Sequence, residues 1–425
     1  MVAGGGTPAK GCVAAIPLMV MNDIDEQLRV APRKMVGTGP AVLQILPRLE
    51  RRGVERGTVD LARHMVECGW RALVVSNGGS GEAELARCGA RSFRLPVHSR
   101  NPLTIRANIR RLQRVIRDRD VRLVHAHARA PAWSACYAAR RCQVPFVTTI
   151  HGLYGHDRNI IKRYYDGVMA RGDRVIAVSD YVAEHVRRHY GVPDERLRVV
   201  HRGIDIRRFD PDAVDRRRIE DLAERWRVRR DAKVILLPSR GVGSNGHRLL
   251  LQALAKLPRR NFHCLIVAGS ERGAQGTGAI EGLIGSLELG SRVRLIGPCE
   301  DMPAALMLAD VVVVPSTAGF DPMSRVALEA QAMGRPVVAT DVGGLGEALM
   351  PAATGWLVEP DADALAHALE LALAMPDEAR ARLAVRARRF VARKFSLERM
   401  GDATMQVYRE LLEGRTPGAD DELVP

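Results

Sequence analysis

Val311-Val312-Val313-Val314-Pro315 runs through Ser316-Thr317-Ala318-Gly319-Phe320 into Asp321-Pro322-Met323-Ser324-Arg325-Val326-Ala327-Leu328-Glu329-Ala330-Gln331-Ala332-Met333-Gly334. Consecutive β-branched residues without polar alternation suit a strand buried on both faces, as in a parallel sheet covered by helices. From Ser324 the apolar residues recur at helical spacing, so the loop turns a strand into a helix. The N-terminus of that helix then lies at the carboxyl edge of the strand, where free backbone N–H groups and the helix dipole favour a diphosphate. Glu329 stands about a turn and a half into the helix, and a carboxylate there can accept hydrogen bonds from two vicinal ribose hydroxyls. The plainer reading is a solvated carboxylate pair around an ordinary helix start.

The same strand-to-helix alternation extends in both directions. Toward the N-terminus the strand candidates are Ala41 to Leu46, Arg71 to Ser76, Leu123 to His127, Pro145 to Ile150, Arg174 to Ser179 and Leu197 to His201. A charged stretch, Arg207 to Asp231, interrupts the series. It resumes at Val234 to Leu237, Cys264 to Ala268, Val293 to Ile296, Val311 to Val314, Pro336 to Ala339 and Trp356 to Val358. The fold class is therefore α/β, with two Rossmann-like, doubly wound parallel-sheet domains facing a cleft. The expected domains are 41–208 and 233–394, with a linker region at 209–232 and a C-terminal helix at 395–413. Residues 1–40 and 414–425 mix Gly, Pro and charge without periodicity and are expected to be disordered tails.

Ligands of open parallel sheets bind beyond the carboxyl ends of the strands, which directs attention to four more segments. Pro238-Ser239-Arg240-Gly241-Val242-Gly243-Ser244-Asn245-Gly246-His247 is a second strand-to-helix loop, and its Arg240 can pair with diphosphate oxygens in a forked geometry. Leu46 to Thr58 leaves the first strand past Arg52-Gly53, where Gly53 permits a close backbone approach and Arg52 adds a cation. His151 follows the strand Pro145 to Ile150 and precedes Gly152, which puts it on a cleft edge. His127-Ala128-Arg129 is expected to shape the acceptor side. His125 and His127 share a strand face, but no third ligand stands at metal spacing, so no metal site is expected.

The 425 residues carry a formal charge of +15. The excess is concentrated in Ala41 to Arg208, which holds 32 Lys or Arg against 16 Asp or Glu. Such a field attracts anionic lipid, phosphorylated substrates or nucleic acid. Without aromatic stacking platforms or a known nucleic-acid motif, a membrane surface or anionic acceptor is the expected partner and nucleic acid is not. The seven cysteines form no CxxC pair or regular framework, which suits a reduced, cytoplasmic chain. No apolar run reaches the ~18 residues that span a bilayer. Membrane contact is accordingly expected to be peripheral, at the inner face.

Taken together, the segment around Asp321 and Glu329 resembles the signature of the retaining GT-B glycosyltransferases, glycosyltransferase family 4 in particular, in which seven residues separate two acidic ones. The resemblance continues through Arg335-Pro336-Val337-Val338-Ala339-Thr340-Asp341-Val342-Gly343-Gly344 and Thr354-Gly355-Trp356-Leu357-Val358, and extends over roughly Ala41 to Leu412. It implies a transferase that moves a sugar from a nucleotide-sugar donor to a glycan or lipid-linked acceptor, as in lipopolysaccharide or envelope polysaccharide synthesis. The donor is a substrate, and neither cofactor nor metal is expected. By resemblance Asp321 and His151 hold the donor sugar and Glu329 the ribose. Arg240, Asn245, Gly53, Met323, Ser324 and Arg325 complete the donor site, and the C-terminal helix returns to the N-terminal domain. Three positions depart from the family pattern: Asp321 replaces Glu, Asn245 replaces Lys and Arg52 replaces Gly. They leave open a catalytically impaired relative that binds a nucleotide or glycan as a partner protein.

Overall fold

The computed structural model describes residues 37–50, 53–153, 160–239, 245–258, 261–268, 277–317 and 322–414. Among these residues the apolar runs form two sheets. The first comprises β1 (Ala41–Ile45), β2 (Arg71–Ser76), β3 (Arg91–Arg94), β4 (Val121–Ala126), β5 (Phe146–Ile150), β6 (Arg174–Ala177) and β7 (Leu197–Val199), in the order β3-β2-β1-β4-β5-β6-β7. The second comprises β8 (Lys233–Ser239), β9 (Phe262–Ala268), β10 (Val293–Ile296), β11 (Val311–Val314), β12 (Val337–Thr340) and β13 (Gly355–Val358), in the order β10-β9-β8-β11-β12-β13. The strand pairings in both sheets are parallel. Strand order reverses between β1 and β4 and again between β8 and β11. At such a switch point the connecting helices diverge and open a crevice beyond the strand ends.

Each sheet is covered on both faces by its own apolar clusters. Two elements were not anticipated from the sequence. β3, Arg-Ser-Phe-Arg, lies at the sheet edge with only Phe93 buried, a position where charged residues are tolerated because one side faces water. Within the expected linker, Arg216–Arg225 is helical, capped by Asp215. Its Leu222 and the following Trp226 are buried in the core of the second domain.

The chain crosses between domains at two adjacent places. The Ile204 N–H donates to the Phe395 carbonyl at 2.8 Å and the Leu397 N–H to the Ile204 carbonyl at 3.1 Å. Val391 and Phe395 still belong to the second core, whereas the helix Leu397–Glu413, capped by Ser396, packs back on the first domain. Its Tyr408 is fully buried, with its ring centroid 6.3 Å from that of Trp70. The expected return of the C-terminal helix is thus observed. No helix among the described residues is long and apolar enough to cross a membrane.

Candidate functional site

At the carboxyl ends of β4, β5, β6 and β7, a cavity is closed by the start of the helix Gly53–Glu67, by Met400 and Thr404 of the C-terminal helix, and by Arg325 from the second domain. Gly53, His127, His151, Arg202 and Arg325 line it. Gly53 begins its helix at φ +48°, in the left-handed region that glycine enters without strain. The cavity holds ≈ 50 Å³, room for ordered water rather than a sugar nucleotide, which makes it the inner end of the cleft.

A chain of hydrogen bonds fixes the state of its imidazoles. An Arg202 guanidinium nitrogen lies 3.4 Å from His151 Nδ1, His151 Nε2 lies 3.3 Å from His127 Nδ1, and His127 Nε2 lies 3.0 Å from Gln44 Oε1. Arginine can only donate, so His151 accepts at Nδ1 and carries its proton on Nε2. That proton is donated to His127, whose own Nε2–H is donated to Gln44. His125, whose ring lies 4.1 Å from that of His127, is held separately between Tyr408 Oη at 2.6 Å and Thr149 Oγ1 at 2.7 Å. Burial pushes His127 down to about 3. Burial likewise holds His151 well below the ordinary imidazole value, with Arg202 and His127 adding to the effect. A neutral His151 therefore faces the cleft.

In the second domain, Ser324 caps the helix Arg325–Ala332 through the Ala327 N–H. The helix starts where the loop after β11 ends, at the carboxyl edge of the sheet. Glu329 is largely buried, and one oxygen lies 3.4 Å from the Arg325 guanidinium. Burial raises its pKa, opposed by the charges of Arg325 and Arg208. A carboxylate so placed gains a polar partner on meeting hydroxyl donors, at little further cost in desolvation. On the other side of the switch point, a Cβ on Gly246 would come within 2.2 Å of the Pro315 carbonyl. The start of the helix Asn245–Lys256 is thereby pressed against the end of β11.

Residues 51–208 match Glycosyltransferase Family 4 and residues 218–390 match Glycosyl transferases group 1. Over 418 residues the chain is 30% identical to D-inositol 3-phosphate glycosyltransferase of Mycobacterium tuberculosis, covering 91% of this chain and 82% of the relative. The chain belongs to glycosyltransferase family 4. Among solved structures, a glycosyltransferase from Rickettsia africae superposes with TM-score 0.81 at 30% identity, over 89% of this chain and all of the other. HepE from Anabaena, in complex with UDP and glucose, superposes with TM-score 0.75 at 21% identity, over 88% of this chain and all of HepE. The fold is GT-B, and this family 4 enzyme transfers a sugar from a nucleotide-sugar donor.

The structure shows what surrounds several of the expected site residues of this glycosyltransferase. His127 is buried behind His151, and its ring packs 4.1 Å from that of His125, because both continue the buried face of β4. It lines the same cavity as His151 and is hydrogen-bonded to it. Arg129 donates to the buried Asp166 carboxylate at 2.7 Å, which anchors its guanidinium to the fold. Met323 is buried in the second core, so its side chain packs and only its backbone is available to a ligand. Arg52, Arg240 and Asp321 lie outside the described residues, as does the side chain of Asn245.

The structure adds residues that the sequence reading passed over. Arg202 and His201 follow β7 directly, so the rule that ligands sit beyond strand ends could have singled them out. Gln44 reads in sequence only as one polar residue in an apolar strand. Across the cleft, the Glu347 carboxylate accepts hydrogen bonds from the backbone N–H groups of Asp180 at 2.8 Å and Tyr181 at 2.7 Å, and lies 3.2 Å from His201 Nε2. The two N–H groups open the helix Asp180–Tyr190. Burial acts to raise the Glu347 pKa, but bonds from His201 and the N–H groups outweigh it and hold the group below the usual carboxylate range. A Cβ on Gly344 would come within 2.1 Å of the Pro322 carbonyl, so the turn bearing Glu347 lies against the backbone that leads into Ser324. Among the described residues, Asp180, His201 and Glu347 form the one group of carboxylates and imidazoles compact enough to share a cation. Both Glu347 oxygens already accept N–H bonds, which fits an inter-domain clasp.

Proposed function

We propose that this family 4 enzyme moves the sugar with retention onto a phosphorylated or lipid-linked glycan acceptor held by the first domain. The activity is assigned to envelope polysaccharide or lipopolysaccharide assembly at the inner face of the membrane. The observation that carries the reading is the meeting of three features at one cleft: the Ser324-capped helix with its buried Glu329, the neutral His151, and the cations Arg202 and Arg325 between them. Glu329 takes the ribose hydroxyls, and the helix terminus, with Arg240 of the neighbouring loop, takes the diphosphate. Asp321 and His151 hold the sugar.

In front-face transfer the acceptor oxygen attacks the side from which the diphosphate departs, and the diphosphate takes the acceptor's proton. Positive charge then builds on the sugar and negative charge on the leaving group. A neutral imidazole beside the sugar avoids the repulsion that an imidazolium would add, while Arg202 and Arg325 oppose the diphosphate charge. Orientation and charge stabilisation supply the rate enhancement without a metal. The excess of arginine on the first domain suits an anionic acceptor, in keeping with the phosphorylated acceptor named for the mycobacterial relative. UDP-linked sugars are the first donors to test, since HepE is seen with UDP.

The experiment is a thermal-shift screen across UDP-, GDP- and ADP-linked sugars, followed by turnover with the best donor. A ligand at a hundredfold excess over Kd stabilises by ~2.7 kcal/mol. Release of nucleoside diphosphate only when acceptor is present supports the transferase. Donor binding without release under any acceptor supports the non-catalytic partner suggested by Asp321, Asn245 and Arg52.

A further inference from the structure

Leu103, Ile160, Ile161 and Tyr164 are 78%, 82%, 80% and 60% exposed, the four largest values among exposed apolar side chains of the described residues. All four belong to the first domain. Tyr164 belongs to an aromatic cluster: the Trp133 ring is 5.4 Å from Tyr164 and 6.2 Å from Tyr165, and its indole N–H donates to the Tyr165 carbonyl. Guanidinium groups seal its edges. Arg171 stands over Trp133 at 5.1 Å and over Tyr164 at 5.2 Å, and Arg100 over Tyr165 at 5.6 Å. Arg100 stands three residues before Leu103, so its contact with Tyr165 brings the start of the helix Pro102–Asp118 near the helix Ile160–Asp166.

Along the chain around Leu103 the charge has a single sign. From Leu85 to Arg117 the sequence holds nine Arg and no Asp or Glu. Leu103, Arg106, Arg110, Arg114 and Arg117 are exposed at steps of three and four residues, so Leu103 heads an arginine stripe along one helix face. Arg111, off that stripe, is buried. The helix Ile160–Asp166 has one carboxylate, Asp166, which is buried and paired with Arg129.

We propose that this face docks on an anionic lipid surface, with Leu103, Ile160 and Ile161 entering the apolar layer and the arginine stripe lying along the headgroups. The inference rests on the reading of a membrane-side acceptor and names the surface that reaches it. Aliphatic tips with an aromatic cluster, rimmed by Arg, match the apolar-to-charged gradient of a bilayer interface. Two copies of so basic a face repel each other. Nucleic acid would need open ring faces for stacking, whereas here the rings are taken up by one another and by guanidinium groups.

Co-sedimentation of the full chain with vesicles of phosphatidylcholine, alone or mixed with phosphatidylglycerol, tests this at about 0.1 M and about 1 M salt, where the screening length falls from ~10 Å to ~3 Å. Wild type is expected to prefer the anionic vesicles and to keep part of that binding at high salt. Leu103→Ser with Ile160→Ser should lower partitioning at least about tenfold and abolish the salt-resistant part. Arg106→Gln with Arg110→Gln and Arg114→Gln should remove the salt-sensitive part alone. Leu371→Ser with Val385→Ser, exposed apolar positions of the second domain, should change nothing. Wild-type partitioning by the Leu103 and Ile160 variant, equal binding to neutral vesicles, or salt-sensitive RNA binding without vesicle binding each overturns the proposal. Donor-induced thermal shifts, measured on the same variants, stay at the wild-type value. Their absence in every variant and in wild type counts against the donor reading, while the vesicle result still decides the docking face.

Discussion

Glu347 and Asp180 meet across the cleft: a carboxylate of the second domain accepts the first free N–H of a helix in the other domain, at 2.8 Å. The N–H of Tyr181 and the imidazole of His201 share the same carboxylate. Charge, helix dipole and hydrogen bonding act in one direction here. The Glu347 turn also lies against Pro322, which ties the clasp to the backbone that leads into Ser324.

Glu347→Ala is therefore expected to open the cleft. Hydrogen bonds to a charged group contribute ~1.5–3 kcal/mol, so turnover should fall about tenfold to a hundredfold, with a larger radius of gyration in solution scattering. Glu347→Gln keeps one acceptor and should fall between. The folded carboxylate has a depressed pKa, so its contribution is complete above the ordinary carboxylate range and disappears as pH drops through the lowered value. Unchanged scattering and turnover in Glu347→Ala would remove the clasp from the mechanism.

Glu329→Ala should weaken nucleoside diphosphate binding about tenfold, equivalent to ~1.4 kcal/mol, while leaving the fold intact. Among the described residues its ion pair is with Arg325, at 3.4 Å on its own helix. Titration calorimetry with the best nucleotide reads this directly, with Glu329→Gln milder. Equal affinity in Glu329→Ala and wild type would rule out the ribose role.

The buried histidines predict an acid-labile fold. His127 sits at about 3 when folded against 6.5 in the free side chain, so folding favours its neutral form. That stability is complete above the unfolded value and is lost as pH falls toward the folded one. By about pH 5 the loss from His127 alone is ~2 kcal/mol, and His125 and His151 shift in the same direction. Denaturation midpoints should fall steadily below about pH 6.5, and His127→Gln should flatten that slope. A wild-type protein equally stable at both ends of the range would mean that these imidazoles are solvated.

Much of the fold was legible because a doubly wound sheet writes itself in uninterrupted apolar runs such as Val311 to Val314. β3 was not, since an edge strand of Arg-Ser-Phe-Arg has too little burial to leave a pattern. The helix Arg216–Arg225 was hidden by its charge, because only Leu222 and the residues beside it face the core. In the candidate site, placement was legible where a residue follows a strand or begins a helix, as His151 and Ser324 do. His127 and His151 each follow a strand and line the same cavity, but His127 is the more buried, a difference that depends on side-chain packing around β4. Glu347 and Asp180 are 167 residues apart, and a partnership across two domains has no local sequence signal.

Arg202 supplies the last prediction. The family's loop cation is replaced by Asn245, yet the cleft is not short of positive charge, because Arg202 and Arg325 both line its inner cavity. Arg202 lies beyond β7 with a guanidinium nitrogen 3.4 Å from His151 Nδ1, directed toward the sugar end of the site. If it stabilises the leaving diphosphate, Arg202→Gln should lower kcat by about 10²–10³, the cost of losing one donor aimed at developing charge, with little change in KM. Asn245→Lys in the wild-type background should then add little, since the charge is already met. In the Arg202→Gln background the same Asn245→Lys should restore about tenfold or more, because a cation from either side reaches the same leaving group. A large gain from Asn245→Lys alone would show that the loop had lost a cation without compensation. No rescue of Arg202→Gln would mean that Arg202 acts through the His151 tautomer instead, and the pH profile of kcat should then shift upward as His151, freed of its cationic neighbour, becomes easier to protonate.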